Sequence, residues 1–149
     1  MDFSVTTLAS TTVGYIPHAT LYDLTRRHLG LAHAFWRDII TDGAIFRIWM
    51  LNLGRRTAHE RIAHLLCEMA LRLEAVGLAT SRAFEASLVS VDIGEALGLS
   101  MVQVNRVLQD FARDGLVTPK AASVEVLDFT GLAQICDFDP VYLHLGHNV

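Results

Sequence analysis

Lysine is almost missing from this 149-residue chain: of 12 basic side chains only Lys120 is a lysine, and the others are arginines. The 16 acidic residues outnumber them and leave a net charge of −4. That balance argues against a protein coated in nucleic acid over its whole surface. It is compatible with a local DNA-binding face, because screened charges act over only ~10 Å. Charged residues are scarce at 19%, hydrophobic ones reach 52%, and the combination excludes disorder and allows a real core. No apolar run approaches the roughly 18 residues of a membrane span. The longest candidate, Leu29 to Leu53, is interrupted by Arg37, Asp38, Asp42 and Arg47. So apolar a composition without a span points to a subunit interface and no membrane partner. The opening MDFSVTT has no basic segment, so no signal peptide is expected. Two cysteines, Cys67 and Cys136, are too few for a disulfide framework, and reduced core thiols in a cytoplasmic protein are the expectation. There is no nucleophile–base pair, phosphate loop or carboxylate dyad, so neither an enzyme nor a cofactor is expected. His59 and His64 lie five apart rather than the four that place two zinc ligands on one helical face. His144 and His147 lack a nearby third ligand, and no metal is expected at either place.

What is present is mostly helical. Ser4 to Leu8 and Thr12 to Ile16 are Thr- and Val-rich and read as two short strands. Pro17 opens a short helix over His18 to His28, and Gly30 reads as a break. Leu31 to Leu53 is a long helix on which Trp36, Ile39, Gly43, Phe46, Met50 and Leu53 alternate at spacings of three and four, the seam of a coiled coil. A second stripe of Phe35, Ile40, Ala44, Ile48 and Leu51 lies on another face. A helix apolar on two faces must bury both. A dimer seam is favoured over the centre of a monomeric bundle, because the N-terminal piece has too little apolar mass to cover both.

Gly54-Arg55-Arg56 marks a joint, and Thr57-x-x-Glu60 is a capping box that starts a helix running to about Glu74. After a polar loop, Phe84 to Leu88 reads as a strand. Ser90 to Leu108 then fits a helix-turn-helix. Ile93, Leu97, Leu99, Val104 and Val107 occupy the positions where two helices touch. Gly94 is small where they cross, and Gly98 sits in the turn where a positive φ favours glycine. Ser100 with Gln103 caps the second helix, which continues to Gly115. Leu116 to Thr118 and Val124 to Leu127 alternate as strands of a hairpin wing around Pro119 to Ser123.

Residues Thr57 to Leu145, with RTAHERIAHLLCEMALRL, LVSVDIGEALGLSMVQVNRVLQDFARDGLV and the tail FDPVYLHL, resemble the DNA-binding domain of Crp/Fnr-type transcription regulators. WRDIITDGAIFRIWMLNLGRR resembles that family's dimerisation helix, and Asp2 to His28 resembles the last strands of its cyclic-nucleotide-binding-like β-roll. The resemblance implies a mainly α fold with small β elements. Residues 1–30 would be a remnant of the effector β-roll, 31–56 the dimerisation helix, and 57–149 the winged helix-turn-helix domain. It also implies that most of the β-roll, with its phosphate-binding turn, would lie before Met1, whether through a late start or a naturally shortened regulator. The slots facing the purine in cyclic-AMP-binding members hold Phe46 and Arg47, which implies no cyclic AMP binding. The cysteine cluster that ligates iron–sulfur in some members is not present.

The first turns of a recognition helix face the major groove, which places Ser100, Met101, Val102, Asn105 and Arg106 there. The resemblance puts base contacts at Met101, Val102 and Arg106. Arg106 can hold guanine O6 and N7, or instead pair with Asp110. Met101 and Val102 can touch a thymine methyl but cannot hydrogen-bond a base. Gln103 suits an adenine or a phosphate, Ser100 a phosphate at the helix start, and Lys120 either a phosphate or open solvent. The expected function is a homodimeric, sequence-specific transcription regulator on two half-sites. Its partners would be double-stranded DNA, a second copy and RNA polymerase. The alternative is a dimerisation or protein-interaction module that does not bind DNA.

Overall fold

The computed structural model describes residues 5, 7, 10–79, 85–86, 89–121 and 123–145. Its order is α1 (His18–Arg27), α2 (Leu29–Arg55), α3 (Ala58–Ala75), β1 (Glu85–Ala86), α4 (Ser90–Leu97), α5 (Met101–Arg113), β2 (Val117–Pro119), β3 (Val124–Val126), α6 (Phe129–Cys136) and a 3-10 turn, Pro140–Leu143. The fold is mainly helical with one small antiparallel sheet of order β1-β3-β2. Val117 pairs with Val126 and Pro119 with Val124 in the wing, while Ala86 pairs with Val124 on the other edge. No helix among the described residues is long and apolar enough to cross a membrane.

Helix α3 is the spine of the domain that follows α2. Its start is the expected capping box: the Glu60 N–H donates to Thr57 Oγ1 at 3.3 Å, and Glu60 Oε2 accepts from the Thr57 N–H at 2.7 Å. Ile62, Ala63, Leu66, Cys67 and Ala70 are completely buried and recur at helical spacing. They meet Ile93 and Leu97 from α4, Val104, Val107, Leu108 and Phe111 from α5, and Leu132 and Cys136 from α6 in one core. Both cysteines are free and buried, and a mutual hydrogen bond together with burial pushes the Cys67 thiol up.

The helix-turn-helix follows its sequence closely. Gly98 adopts φ +63°, ending α4 in the left-handed region. A Cβ at Gly94 would sit 2.7 Å from the Leu99 carbonyl oxygen, so the turn passes over that position only because it is glycine.

Two expectations are corrected. Thr12 to Ile16 forms no strand; Val13 and Ile16 are exposed, and the strands found among the described residues all belong to the wing sheet. A strand without a partner or a helix to lie on has no ladder to gain. Ser4 to Leu8 lies largely outside the described residues, and Val5 and Thr7 are in no regular element. Gly30 is not a break: α2 begins at Leu29, and the chain bends one step earlier, at His28 with φ −124° and ψ 91°. The Phe84 to Leu88 strand is seen at Glu85–Ala86, its other residues lying outside the described residues.

Candidate nucleic-acid interface

Helix α5 is built to show one face. The Gln103 N–H donates to Ser100 Oγ at 3.3 Å, while Gln103 Oε1 accepts from the Ser100 N–H at 3.0 Å and from its hydroxyl at 2.9 Å. Val104, Val107, Leu108 and Phe111 are buried, and Met101, Val102, Gln103, Asn105 and Arg106 are exposed. Three polar candidates already have intramolecular duties. Ser100 and Gln103 hold each other in the cap, so reading an adenine through both amide atoms of Gln103 competes with the cap. Asn105 Oδ1 accepts from the Ser90 hydroxyl at 2.6 Å, which ties α5 to the start of α4.

Arg106 differs. Asp110, its alternative partner, accepts from His59 Nε2 at 3.0 Å and from Arg113 Nη2 at 2.6 Å. The His59 hydrogen bond, then Arg113, hold the Asp110 carboxyl below its usual range. Arg106 has no ion-pair partner among the described residues and stands free on the exposed face. Lys120 is exposed, and its Nζ lies 3.2 Å from Glu125 Oε2 across the hairpin. Its N–H donates to the Ser123 carbonyl at 2.8 Å, closing the wing turn. Between α5, the start of α4 and the wing lies a depression of about 210 Å³ bordered by Ser90, Asn105, Gln109 and Lys120.

The support behind this face is polar and buried. Arg61 donates to the Arg56 carbonyl at 2.8 Å and to the Leu97 carbonyl at 3.3 Å, pinning α3 to the end of α4. Where α2 meets α3, Asn52, His64 and Glu68 are each at most 2% exposed. Arg56 Nη1 donates to Asn52 Oδ1 at 3.1 Å. This leaves the Asn52 amide N–H to donate to His64 Nδ1 at 3.2 Å. His64 Nε2 then carries the proton towards the Tyr142 oxygen at 3.2 Å, and the Tyr142 hydroxyl donates to Glu68 Oε2 at 2.7 Å. Trp49 Nε1 at 3.1 Å and Arg72 Nη1 at 3.1 Å complete the Glu68 carboxylate. Every donor points the same way, from a guanidinium to a carboxylate. Burial, then Arg56, pushes the His64 imidazole down to about 4, so it is neutral. Burial and the Glu68 carboxylate push the Tyr142 phenol up, so it stays a donor.

A family profile described as a Crp-like helix-turn-helix domain matches residues 60–135, slightly more than half of the chain. The chain belongs to the Crp/Fnr family. It is 30% identical over 125 residues to the transcriptional activator protein anr of Pseudomonas aeruginosa, covering 84% of this chain and 51% of that one. It is 37% identical over 92 residues to the transcriptional activator protein FnrL of Cereibacter sphaeroides, covering 59% and 37% respectively. Among solved structures, FixK2 from Bradyrhizobium japonicum superposes with a TM-score of 0.68 at 26% identity, covering 80% of this chain and 59% of that one. A CRP-family transcriptional regulator from Thermus thermophilus shares the fold at a TM-score of 0.51 and 20% identity, covering 83% of this chain and 56% of that one. The chain spans about half the length of the first curated relative it matches.

Within this Crp/Fnr chain, the seam residues of α2 are left uncovered. Trp36, Ile39, Phe46 and Met50 are 60 to 68% exposed, Leu53 is 43% exposed and Gly43 is half-buried. Helix α1 packs along α2, and the two border a groove of about 530 Å³ lined by Leu21, Tyr22, Phe35, Asp38, Ile39 and Asp42. Sequence reasoning missed α6 and the relay at the α2–α3 joint. For α6 a signal existed: Asp128 accepts from the Gly131 N–H at 3.0 Å as an N-cap, ahead of Leu132 and Cys136 at helical spacing. For the relay the signal was weaker: Asn52 interrupts an apolar run on α2, and Glu68 lies between Cys67 and Met69 on the apolar side of α3. His64 serves the relay, and no metal-ligating cluster occurs among the described residues.

Proposed function

We propose that this chain binds double-stranded DNA as a homodimer and regulates transcription. Helix α5 of each copy enters the major groove of one half-site, and the α2 seams join the copies, so that half-sites lie about one helical turn apart. Met101, Val102 and Arg106 face the bases. Ser100, Gln103 and Asn105 frame the cap and contact backbone or bases next to it. Lys120 shares its charge between Glu125 and a phosphate. RNA polymerase is the machinery on which such a complex would act. The observation that carries the reading is Arg106: it is exposed on the helix-turn-helix face, and the Asp110 carboxylate four residues on is already bonded to His59 and Arg113.

A second reading has an observation of its own. Val102 is 78% and Met101 52% exposed, an apolar pair on a face otherwise short of cations. A protein-interaction module without DNA binding would use that pair. Anisotropy titrations against random duplexes at low salt, followed by selection of bound sequences, separate the two. Binding with a steep salt dependence and a two-half-site selected motif supports the first. Absence of binding at 50 mM salt overturns it.

A further inference from the structure

Val102 stands in the first turn of α5 and is 78% exposed, so its apolar side chain is free to meet a partner. Neither the core nor helix propensity asks for valine there. It lies four residues before Arg106, on the same stripe of the helix and about 6 Å from it along the axis. Base pairs stack about 3.4 Å apart, so residues at that spacing reach positions within about two base pairs of each other. The first turn carries no carboxylate. The acceptor oxygens of the neighbouring amides are engaged. Gln103 Oε1 accepts from the Ser100 N–H at 3.0 Å and its hydroxyl at 2.9 Å, and Asn105 Oδ1 accepts from the Ser90 hydroxyl at 2.6 Å. Beside Arg106, the exposed start of α5 is therefore better suited to an apolar group than to the hydrogen-bonding edge of a base.

The major-groove edge of DNA offers one apolar group, the C5-methyl of thymine, which 5-methylcytosine shares. Valine against that methyl buries apolar surface on both sides. Against N7, O6, N4 or N6 it covers a polar group and returns no hydrogen bond. We infer that Val102 reads the C5-methyl group of a pyrimidine at one position of each half-site. The inference rests on the DNA-binding reading above and adds which base chemistry the first turn of α5 accepts. Arg106 and Val102 then divide the work: the arginine hydrogen-bonds a guanine, and the valine selects a methylated pyrimidine within about two base pairs of it. Thymine supplies the methyl in ordinary DNA, and 5-methylcytosine supplies the same methyl in a C·G pair.

Selection from random duplexes defines the wild-type motif, and anisotropy titrations then compare base analogues at each of its thymines. Replacing thymine by deoxyuridine removes only the methyl. It is expected to weaken binding about fourfold per half-site at the position Val102 faces. A C·G pair there is expected to bind more weakly than T·A, and 5-methylcytosine to bind about fourfold tighter than cytosine. Val102→Glu places a carboxylate where the methyl contact was. Selection with it is expected to yield cytosine in place of thymine at that one position, since a carboxylate accepts from cytosine N4. Val102→Ser is expected to bind thymine and deoxyuridine equally there without choosing cytosine. Circular dichroism on both variants checks that the helices are intact. A response to deoxyuridine but not to 5-methylcytosine supports the reading for thymine alone. Deoxyuridine as good as thymine at every position, or a motif that both variants leave unchanged, overturns the methyl reading and leaves DNA binding standing. No binding of wild type to any duplex at low salt overturns the DNA-binding reading and this inference together.

Discussion

Acidification from pH 7 to pH 5 should cost this protein about 2 kcal/mol through His64 alone. The imidazole is 1% exposed and held neutral, with its value pushed down to about 4 from the ordinary 6.5. Asn52 presents an N–H to Nδ1, and Arg56 fixes that amide by donating to its oxygen. A second imidazole proton would face that N–H donor to donor, in a site already closed to water. Glu68 is the nearby group that opposes this, but the Tyr142 hydroxyl stands between, donating to it at 2.7 Å. Because the folded value is depressed, the unfolded chain binds the proton first. Stability is therefore full above about pH 6.5 and falls as pH drops towards 4. A histidine at 6.5 unfolded and about 4 folded changes the unfolding free energy by about 2 kcal/mol between pH 7 and pH 5. Urea denaturation of wild type and His64→Gln at both pH values isolates the effect, since titrations elsewhere cancel in the difference. His64→Gln is expected to be weaker at pH 7 and to lose about 2 kcal/mol less on acidification. Identical pH dependence in the two proteins would falsify the neutral-relay account, as would a histidine resonance titrating near 6.5 and assigned to His64.

Other expectations follow from the same geometry. Arg106→Ala should cost roughly 1–3 kcal/mol of DNA affinity and relax one base pair in each half-site, read by binding-site selection; an unchanged motif would make Arg106 a phosphate clamp. Lys120→Ala should weaken all sequences alike and lower the salt slope by about one per subunit, with the Glu125 pairing tending to make the change smaller. Phe46→Glu with Met50→Glu should give monomers in sedimentation, because the seam would have to bury charges. Gly94→Ala should destabilise by about 1–3 kcal/mol in thermal melts, since its Cβ would meet backbone oxygen at 2.7 Å; an unchanged midpoint would show that the turn yields freely. Calorimetry with cyclic AMP should show no micromolar binding.

Local rules wrote most of the framework into the sequence. Thr57 with Glu60 and Ser100 with Gln103 announce helix starts because a cap is made within four residues of chain. Gly98 and Gly94 mark the turn because one needs a positive φ and the other a bare Cα. The seam of α2 is legible because a helix converts spacing into a face. Tertiary structure decided what depends on residues far apart. Thr12 to Ile16 has strand-like composition, yet a strand exists only beside another, and none among the described residues is placed there. The state of Arg106 turned on His59, 51 residues from Asp110, which takes the carboxylate that helix spacing alone would have offered to the arginine. The Lys120–Glu125 pair came from the register of the wing, which sets the two side chains across from each other. The relay joins Asn52, His64, Glu68 and Tyr142 from α2, α3 and the 3-10 turn, with bonded partners up to 78 residues apart. Hydrogen bonds between buried side chains depend on position and direction in space, which sequence periodicity does not encode; the packing of α2 against α3 and the C-terminal turn supplies both.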